Sequence, residues 1–340
     1  MPAAPSPEAL IEGVLDGDRR ALARAITRAE NAAPESRLIL EQVYPHSANA
    51  HLIGVPGAPG TGKSSLVNQL AMAYRQADRS VAVLAVDPTS PFSGGAILGD
   101  RIRMRDLAGD PGIFIRSMAS RGSLGVLART TSVVAILLAG AGFDVVLVET
   151  GGAGQSETEI ARLAQTTIVV EAPGLGDDIQ AMKAGILEIA DVLVVNKADD
   201  PRAANAARAL QAMLDLGDQR PAAMHHGRLV EVTVPQVQEG TGWRVPIRQT
   251  NALTGEGVPA LIETLDAHRA HLDASGELAF REQARAATEL EMLLQETLLS
   301  RLIATIGVER VSAAVAHIAN RDMTPHAAAD SLLADWLRSP

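Results

Sequence analysis

A glycine-rich turn in this chain has the residue types and spacing of a phosphate-binding loop. The stretch GAPGTGKSS, residues 57–65, follows the apolar run HLIGVP and precedes the helix-like segment LVNQLAMAYRQ. It fits G-x-x-x-x-G-K-[ST], a pattern that closes backbone N–H groups around phosphate oxygens at a helix N-terminus. We expect Lys63 to reach the β- and γ-phosphates and Ser64 to bind Mg²⁺. The predicted nucleotide-binding residues of the turn are Gly57, Ala58, Pro59, Gly60, Thr61, Gly62, Lys63, Ser64 and Ser65.

A second motif, NKAD at residues 196–199, indicates which base the turn serves. It directly follows the apolar run DVLVV. The carboxylate of Asp199 can accept hydrogen bonds from N1–H and the 2-amino group of guanine, whereas adenine has an acceptor at N1 and no such amine. The stem of Lys197 can cover the ring, and Asn196 can tie the loop together. The predicted nucleotide is therefore GTP or GDP, and Asn251, Ala252 and Leu253 are expected to complete the base site through the Ala252 N–H.

The run DVVLVE ends in a third candidate, Glu149-Thr150-Gly151-Gly152. Glu149 and Gly152 have the acid-x-x-Gly spacing that binds metal-bound water and the γ-phosphate, and ligands bind where parallel strands end. Ala153 stands where many regulatory GTPases have a water-orienting glutamine, so fast intrinsic hydrolysis is not expected from this loop. The predicted reaction is GTP + H₂O to GDP + phosphate.

Seven β-rich runs must position these residues, and segments long enough for helices separate them. Several runs are apolar without alternation, as strands buried on both faces should be. The pattern predicts an α/β fold of the P-loop NTPase type, with a doubly wound, mostly parallel sheet. The runs are HLIGV, VAVLAVD, IFIRSM, DVVLVE, TIVVEA, DVLVVN and VPIRQT.

Helical patterns occupy both ends of the chain. From Ser6 to about His46 the apolar spacing is helical, with Ser6-Pro7 as a predicted helix start. We predict an N-terminal helical extension over 1–47, a GTPase domain over 48–272 and a C-terminal helical dimerisation extension over 273–340. The tail carries a leucine stripe wider than one helix face, which favours a homodimer, although packing on its own domain alone would also cover one side. The stripe comprises Leu290, Leu293, Leu294, Leu298 and Leu302, widened by Met292, Leu299, Ile303 and Ile306.

Composition narrows the class of protein. The 340 residues are 47% hydrophobic, contain no cysteine and carry a net charge of −10. No apolar run approaches the roughly 18 residues of a membrane span, and MPAAPSPEAL lacks the basic start of a signal peptide. Without cysteine there are no disulfides or thiolate metal sites, and the acidic balance disfavours nonspecific nucleic-acid binding. We expect a cytoplasmic protein with neither a membrane nor a nucleic acid as partner.

At the level of whole segments the chain resembles the cobalamin-linked GTPase chaperones of methylmalonyl-CoA mutase, known as MeaB or MMAA and earlier as ArgK or LAO/AO transport system kinase. The resemblance covers nearly the whole length. Its most specific part is DPTSPFSGGAILGDRIRM, which generic GTPases lack. The segments are GAPGTGKSSL, AVDPTSPFSGGAILGDRIRM, RGSLGVLARTT, VLVETGGAGQSE, GLGDDIQAMKAGILEIADVLVVNKAD and the late GW before VPI.

The resemblance implies a fold of the SIMIBI class, which includes metal-insertase and signal-recognition GTPases. It implies that Asp87 and Asp100 lie near the magnesium with Glu149, and that Lys183 belongs to a switch linked to stimulated hydrolysis. It also implies that hydrolysis gates delivery of adenosylcobalamin to methylmalonyl-CoA mutase, or a related cobalamin-dependent acyl-CoA mutase, and protects that enzyme. The sequence departs from the family at Gly151, where a bulkier aliphatic residue is usual.

Three other readings stay open at this stage. A nickel-inserting GTPase would need soft or imidazole ligands, and the chain offers only the adjacent pair His225-His226 among eight histidines. A kinase linked to arginine/ornithine (LAO/AO) transport would use ATP, against which NKAD argues. A nucleotide-sensing scaffold would turn over GTP only incidentally.

Overall fold

The computed structural model describes residues 5–88, 107, 109–120, 124–150, 155–174, 188–217 and 242–338. Of residues 87–88, 119–120, 124–128, 155–156 and 217 it describes the backbone alone. The described chain divides into two compact units, the first ending at Arg281 and the second running from Glu282 to Arg338. Each unit is described by itself below.

A parallel sheet organises the first unit, and every strand pair found among the described residues is parallel. The order across the sheet is β3-β2-β4-β1-β5-β6-β7. The strand that leads into the glycine-rich turn therefore lies in the centre. This confirms the predicted α/β doubly wound fold and shows the sheet to be wholly parallel in the described part. The strands are β1 His51–Val55, β2 Val81–Pro88, β3 Ile113–Ser120, β4 Val145–Thr150, β5 Thr166–Glu171, β6 Val192–Asn196 and β7 Ile247–Thr250.

Helices precede, separate and follow these strands, and we number those in the described residues in chain order. Before the sheet lie α1 Pro7–Leu15, α2 Arg19–Glu30 and α3 Ser36–Val43. Between strands lie α4 Lys63–Gln76, α5 Leu124–Gly140, α6 Gln155–Leu163 and α7 Ala203–Gly217. After β7 come α8 Val258–Ser275, α9 Glu277–Ile306, α10 Val308–Ala319 and α11 Pro325–Arg338.

Alternate residues of β1 and β4 belong to two hydrophobic cores, one on each face of the sheet, and a third core joins β5, β6 and α7. Leu52 of β1 belongs to the core that includes α1, α2, α3 and α5, whereas its neighbour Ile53 belongs to the core that includes α4 and α8. Val146 and Leu147 of β4 divide in the same way. The period of two along a strand places successive side chains on opposite faces, so both faces are buried.

A side-chain cap stabilises α1, and arginine side chains attach α2 to the rest of the first unit. Ser6 caps α1 by accepting a hydrogen bond from the Ala9 N–H at 3.2 Å, which confirms the predicted helix start. From α2, Arg19 donates to the carbonyl of Asp110 at 3.0 Å. Glu30 at the end of α2 pairs with Arg116 of β3, with Arg116 Nε 3.1 Å from Glu30 Oε1. These bonds hold α2 against edge strand β3.

A buried polar chain lies at the edge of the sheet where β1 and β5 begin. The hydroxyl of Thr166 is 2.8 Å from His51 Nε2 and 2.8 Å from His268 Nδ1. His268 Nε2 in turn lies 3.4 Å from Asp191 Oδ1. The indole of Trp243 packs against His268, with ring centroids 4.7 Å apart, and its N–H donates to the Asp191 carbonyl at 2.8 Å. Sequence patterns gave no sign of this network, because its members are distant in the chain.

Arg281 at the start of α9 joins the same network. Its guanidinium is bidentate on Asp191, with Nη2 2.8 Å from Oδ1 and Nη1 3.0 Å from Oδ2. It also bonds the Gln165 carbonyl at 2.9 Å and pairs with Glu277 at 2.7 Å. Such an Arg–carboxylate fork gives both strength and fixed geometry. The first turn of α9 is thereby attached to the beginnings of β5 and β6.

The second unit is helical, and α9 and α10 bury none of their described residues. It is held locally by ion pairs, including Arg310 of α10 with Asp335 of α11. Within the described chain no single helix is long and apolar enough to cross a membrane, and α9 with α10, bent by 98°, passes that test only as a pair. The exposed large apolar side chains of this unit are Leu290, Met292, Leu293, Leu294, Leu298, Leu299, Val308, Val315, Met323, Leu333 and Leu337.

Candidate functional site

Parallel pairing brings the carboxyl ends of the strands, and with them the predicted motifs, to one edge of the sheet. Val55 at the end of β1 is in register with Glu149 of β4, and Asn196 at the end of β6 is in register with Thr250 of β7. The glycine-rich turn, the acidic strand end and both predicted base loops begin at these positions. This is the edge at which ligands bind in open α/β sheets.

Two glycines of the turn are required by close packing. Gly57 has φ +150°, and a Cβ there would lie 2.3 Å from the carbonyl oxygen of Val170 in β5. Gly62 has φ +93°, and a Cβ there would lie 2.4 Å from the side-chain nitrogen of Asn196. Any side chain would collide with β5 at the first position and with the NKAD loop at the second. The spacing of the motif thus follows from how closely the turn approaches its neighbours.

Lys63 is the first residue of α4 and is only 5% exposed. Its ammonium donates to the carbonyls of Gly57 at 2.7 Å and Ala58 at 3.0 Å. The Thr61 hydroxyl also donates to the Ala58 carbonyl, at 2.9 Å. The turn therefore holds a buried positive charge beside a helix N-terminus, the combination that attracts phosphate groups. The same ammonium can turn to phosphate oxygens.

Ser64 and Glu149 form a buried oxygen pair next to this lysine. The Ser64 hydroxyl donates to Glu149 Oε1 at 2.5 Å, and Glu149 is 2% exposed. Hard oxygen ligands of this kind suit Mg²⁺, which binds through few protein groups and keeps waters and substrate phosphates as its other ligands. Among the described residues no group of three His, Cys, Asp or Glu that could hold a metal occurs.

The NKAD loop is bonded directly to the glycine-rich turn. Asn196 Nδ2 donates to the Thr61 carbonyl at 2.8 Å, and Lys197 Nζ donates to the Gly60 carbonyl at 2.8 Å. Lys197 itself has φ +59°. The stem of Lys197 therefore crosses from the base loop to the phosphate turn, the path that an apolar cover over a purine ring requires. Asn196 therefore connects the NKAD loop to the glycine-rich turn.

Two asparagines connect the predicted base loops: Asn196 of the NKAD motif and Asn251 of the loop after β7. Asn196 Oδ1 accepts the Ala252 N–H at 3.0 Å, and Asn251 Nδ2 donates to Asp199 Oδ1 at 3.0 Å. Asn251 Oδ1 also accepts the Leu253 N–H at 3.0 Å, while the Leu253 side chain is 84% exposed. Asn251 thus orients the predicted guanine-binding carboxylate, and the Ala252 N–H that we expected at the base bonds to Asn196 in this structure.

Asp199 and its neighbour Asp200 take different partners. Hydrogen bonds from the Arg202 guanidinium, from Nε at 2.9 Å and Nη2 at 2.7 Å, lower the pKa of Asp200 to about 2. Asp200 is therefore ionised and engaged by its own loop. Asp199 is hydrogen-bonded to Asn251 instead, so we expect Asp199 to be the carboxylate that binds the purine base.

Most of the predicted site residues come together here, and a few lie outside the described part of the chain. The strand β2 brings the backbone of Asp87 to the same edge, but its side chain lies outside the described atoms. Gly152, Lys183 and Asp100 also lie outside the described residues. The roles of Asp87, Asp100 and Lys183 stay predictions from the resemblance, and the role of Gly152 stays a prediction from the acid-x-x-Gly spacing.

Sequence reasoning missed one acid beside the turn, Glu157 of α6. It is 4% exposed. Burial raises the pKa of Glu157, while the charge of Lys63 and the Gly57 N–H oppose that rise. A glutamate in the first turn of a helix is usually read as a favourable end charge, so no pattern singled it out.

Comparison with known proteins agrees with this geometry. The family described as "Methylmalonyl Co-A mutase-associated GTPase MeaB" matches residues 22–306. That range contains the glycine-rich turn, Glu149, the NKAD loop and the loop after β7.

Individual relatives match along most of their length. A protein named as a GTPase from Pyrococcus horikoshii is 41% identical over 95% of this chain and 96% of its own. The GTPase ArgK of Escherichia coli is 34% identical over 88% of this chain and 87% of its own. The mouse mitochondrial methylmalonic aciduria type A homolog is 31% identical over 95% of this chain and 78% of its own. A solved structure of a protein called LAO/AO transport system kinase is similar with a TM-score of 0.69 and 25% identity, covering 97% of this chain and 98% of that one.

Proposed function

The chain belongs to the family of methylmalonyl-CoA mutase-associated GTPases, MeaB, and on this premise we propose that it uses GTP hydrolysis to chaperone an adenosylcobalamin-dependent acyl-CoA mutase. The proposed client is methylmalonyl-CoA mutase or a related enzyme of that chemistry. Hydrolysis gates delivery of the cofactor to the client and protects the client from inactivation. The observation that carries this proposal is the family match over residues 22–306.

Each of the described site residues has its own role in the proposed hydrolysis reaction. Lys63 moves from the Gly57 and Ala58 carbonyls to the β- and γ-phosphates and offsets their charge. Asp199, oriented by Asn251, binds the N1–H and 2-amino edge of guanine. Ser64 and Glu149 are the residues that would hold Mg²⁺, which supplies charge neutralisation at the phosphates when bound.

The residues outside the described part complete the proposal. We assign Asp87 and Asp100 to the surroundings of the metal and Gly152 to the γ-phosphate. Lys183 is assigned to stimulated hydrolysis, where an ammonium can offset the charge that develops in the transition state. In this proposal the client stimulates GTP hydrolysis by bringing Lys183 into place. This agrees with the expectation, from Ala153, that the chain alone does not hydrolyse GTP fast.

We also propose a homodimer formed through the C-terminal helices. Its support is the run of exposed apolar side chains on α9 to α11 and the absence of any buried residue in the described α9 and α10. The proposed division of the chain is 1–47, 48–272 and 273–340, as helical extension, GTPase domain and dimerisation extension. We place the protein in the cytoplasm, without a membrane or nucleic acid as partner.

Recovery of the client tests the proposal. The full chain, loaded with a nonhydrolysable GTP analogue, is used to capture proteins from the native extract, with a GDP-loaded sample as the matched control. We expect a cobalamin-dependent mutase in the capture, at an amount that depends on the nucleotide. Recovery of a nickel enzyme or of transporter components in its place would contradict the proposal.

A second candidate is phosphoryl transfer to a protein, which the name of the similar solved protein, LAO/AO transport system kinase, favours. It predicts radiolabel from the γ-phosphate on a protein. The mutase proposal predicts that the label leaves as free phosphate, so one labelling experiment separates the two.

A further inference from the structure

Asp199 lies inside a tight turn of the NKAD loop. The Asp200 N–H donates to the Lys197 carbonyl at 3.0 Å, which closes a four-residue turn around Ala198 and Asp199. The start of the turn is held as well, because the Ala198 N–H donates to the Thr250 carbonyl of β7 at 2.9 Å. The backbone of Asp199 is therefore fixed from both sides, and the position of Asp200 sets the far side.

Arg202 holds Asp200 by three hydrogen bonds. Its backbone N–H donates to Oδ1 at 2.9 Å, and its guanidinium donates from Nε to Oδ1 at 2.9 Å and from Nη2 to Oδ2 at 2.7 Å. Such a bidentate fork fixes direction as well as distance. The Asp200 carbonyl also accepts the N–H of Ala203, the first residue of α7, at 2.9 Å. The end of the turn is thereby joined to the beginning of a helix.

The guanidinium of Arg202 lies against the loop that follows β5. A Cβ on Gly174 would come 2.5 Å from Arg202 Nη1 and 2.6 Å from Cζ, so the guanidinium fills the space that a side chain would take. Gly174 has φ +88°, a conformation that glycine adopts without strain. The missing side chain at 174 therefore lets the guanidinium pack on the backbone, which restricts its rotation away from Asp200.

The ion pair of Arg202 with Asp200 contributes little to the free energy of folding. The two side chains are 62% and 25% exposed, and exposed ion pairs stabilise a protein little because water screens their charges. Its effect is on the geometry of the base loop instead. A free Asp200 carboxylate can compete with its neighbour Asp199 for the Asn251 amide or for the amino edge of a base. The fork removes that competitor.

We propose that Arg202 is a positioning residue for guanine recognition: through Asp200 it fixes the turn that presents Asp199, and it keeps the second carboxylate away from the base. The 2-amino group of guanine is the group most sensitive to this, because one carboxylate reaches both N1–H and the amine only in a narrow range of orientations. This role rests on the proposed reading of guanine by Asp199, and Arg202 performs it without contacting the nucleotide.

Competition between GDP and IDP measures this role in the full-length chain, because hypoxanthine keeps N1–H and lacks the 2-amino group. We expect the unmodified chain to prefer GDP by about tenfold, the effect of one hydrogen bond to a charged group. Arg202→Ala should reduce that preference to about threefold or less. Its midpoint of thermal unfolding should change by less than about 3 °C, since the pair is exposed.

Arg208→Ala is the matched control, because Arg208 is an exposed arginine of α7 that bonds the Ala204 carbonyl and the Asn205 side chain of its own helix. Its preference for GDP over IDP should equal that of the unmodified chain. Arg202→Lys keeps the charge and has no planar fork, so its preference should fall as in Arg202→Ala.

A double variant tests whether Arg202 acts through Asp200. In an Asp200→Asn background, Arg202→Ala should have little further effect on the preference, because the charged partner is already gone. The role of Arg202 is excluded if Arg202→Ala keeps the GDP preference of the Arg208→Ala control, or if it has the same effect with and without Asp200→Asn. Failure of Arg202→Ala to fold would also exclude it, because a residue that acts on geometry alone leaves stability nearly intact.

A failure of the proposed guanine reading gives a different result. The unmodified chain itself would then bind IDP or ADP as tightly as GDP, and both the reading by Asp199 and the role of Arg202 would be wrong. An unmodified chain that prefers GDP, together with an Arg202→Ala variant that prefers it equally, removes the role of Arg202 and leaves the proposed function in place.

Discussion

The side-chain amide of Asn251 donates to the carboxylate of Asp199, with Nδ2 3.0 Å from Oδ1. The other end of the same amide accepts the N–H groups of Leu253 at 3.0 Å and Thr254 at 3.4 Å. The amide is therefore fixed at both ends, and it presents Asp199 in one orientation. We therefore predict that purine recognition by Asp199 depends on Asn251 even if Asn251 does not contact the base.

Asn251→Ala should weaken guanine nucleotide binding by roughly tenfold, because it removes a hydrogen bond to a charged group, worth about 1.5 kcal/mol. Calorimetry with GDP measures the loss. Asn205→Ala, an exposed asparagine on α7, is the control and should bind GDP normally. Equal affinity of the two variants would mean that Asn251 does not orient Asp199.

Asp199→Asn should exchange the preferred base. An amide in place of the carboxylate can donate to the C2 oxygen of xanthine, whereas it repels the amino edge of guanine. Competition between GDP and XDP should reverse in favour of XDP. A variant that still prefers GDP would show that another residue reads the base.

Ser64→Ala and Glu149→Gln should each lower the rate of GTP hydrolysis by about a hundredfold, since both alter the oxygen pair that we assign to Mg²⁺. The dependence of the rate on Mg²⁺ concentration should move to higher concentrations in both. Ser300→Ala, at an exposed position of α9 far along the chain from the turn, is the control. An unchanged Mg²⁺ dependence in Ser64→Ala would remove Ser64 from the metal site.

Gly57→Ala should destabilise the first unit by at least about 2 kcal/mol, because its Cβ would come 2.3 Å from the Val170 carbonyl oxygen. Gly142→Ala is the matched control, with φ +87° and no atom within 4 Å of the added Cβ. Its cost should be about 1 kcal/mol, from backbone strain alone. Urea unfolding compares the two, and equal losses would mean that strain, not the close approach to β5, requires glycine at 57.

Acidification should weaken the first unit through two buried histidines. Burial, together with the nearby charge of Arg269, lowers the pKa of His51 to about 3, and burial lowers the pKa of His268 to about 4, both from an ordinary 6.5. For His268, Asp191 and Glu277 oppose the effect of burial, while Arg281 and His271 add to it. Since both folded pKa values lie below the unfolded value, the stabilisation is complete above pH 6.5 and is lost as the pH falls toward 4 and then 3.

At pH 5 each histidine should cost about 2 kcal/mol of unfolding free energy relative to pH 7.5. Trp243 packs on His268, so its fluorescence in a Trp336→Phe background follows unfolding of this region in urea. His268→Gln should remove about half of the pH dependence, and His326→Gln, at an exposed position of the second unit, should leave it intact. A pH dependence unaffected by His268→Gln would contradict the assignment.

The sheet and the nucleotide site were largely predictable from sequence, because each depends on short-range patterns. The seven apolar runs fall on the seven strands, and the turn at Gly57 and the loop at Asn196 lie where parallel strands end. Long-range polar contacts were not predictable. The bond of Asn251 to Asp199 joins residues 52 positions apart, and the pairing of Thr166 with His268 joins residues 102 apart.

Local roles of single polar residues also escaped prediction. In the sequence Glu157 and Arg281 look like ordinary helix-surface residues. The structure leaves Glu157 of α6 only 4% exposed and brings Arg281, at the start of α9, into a two-point contact with Asp191. Burial of such groups depends on tertiary packing, which a periodicity of 3.6 residues does not encode.

The most direct test of the account measures GTP hydrolysis by the full chain with and without a purified adenosylcobalamin-dependent acyl-CoA mutase, with ATP as the parallel substrate. We expect slow hydrolysis of GTP by the chain alone, a clear increase when the mutase is added, and little hydrolysis of ATP in either case. A GTPase rate that the mutase leaves unchanged, or ATP hydrolysed as fast as GTP, would contradict it.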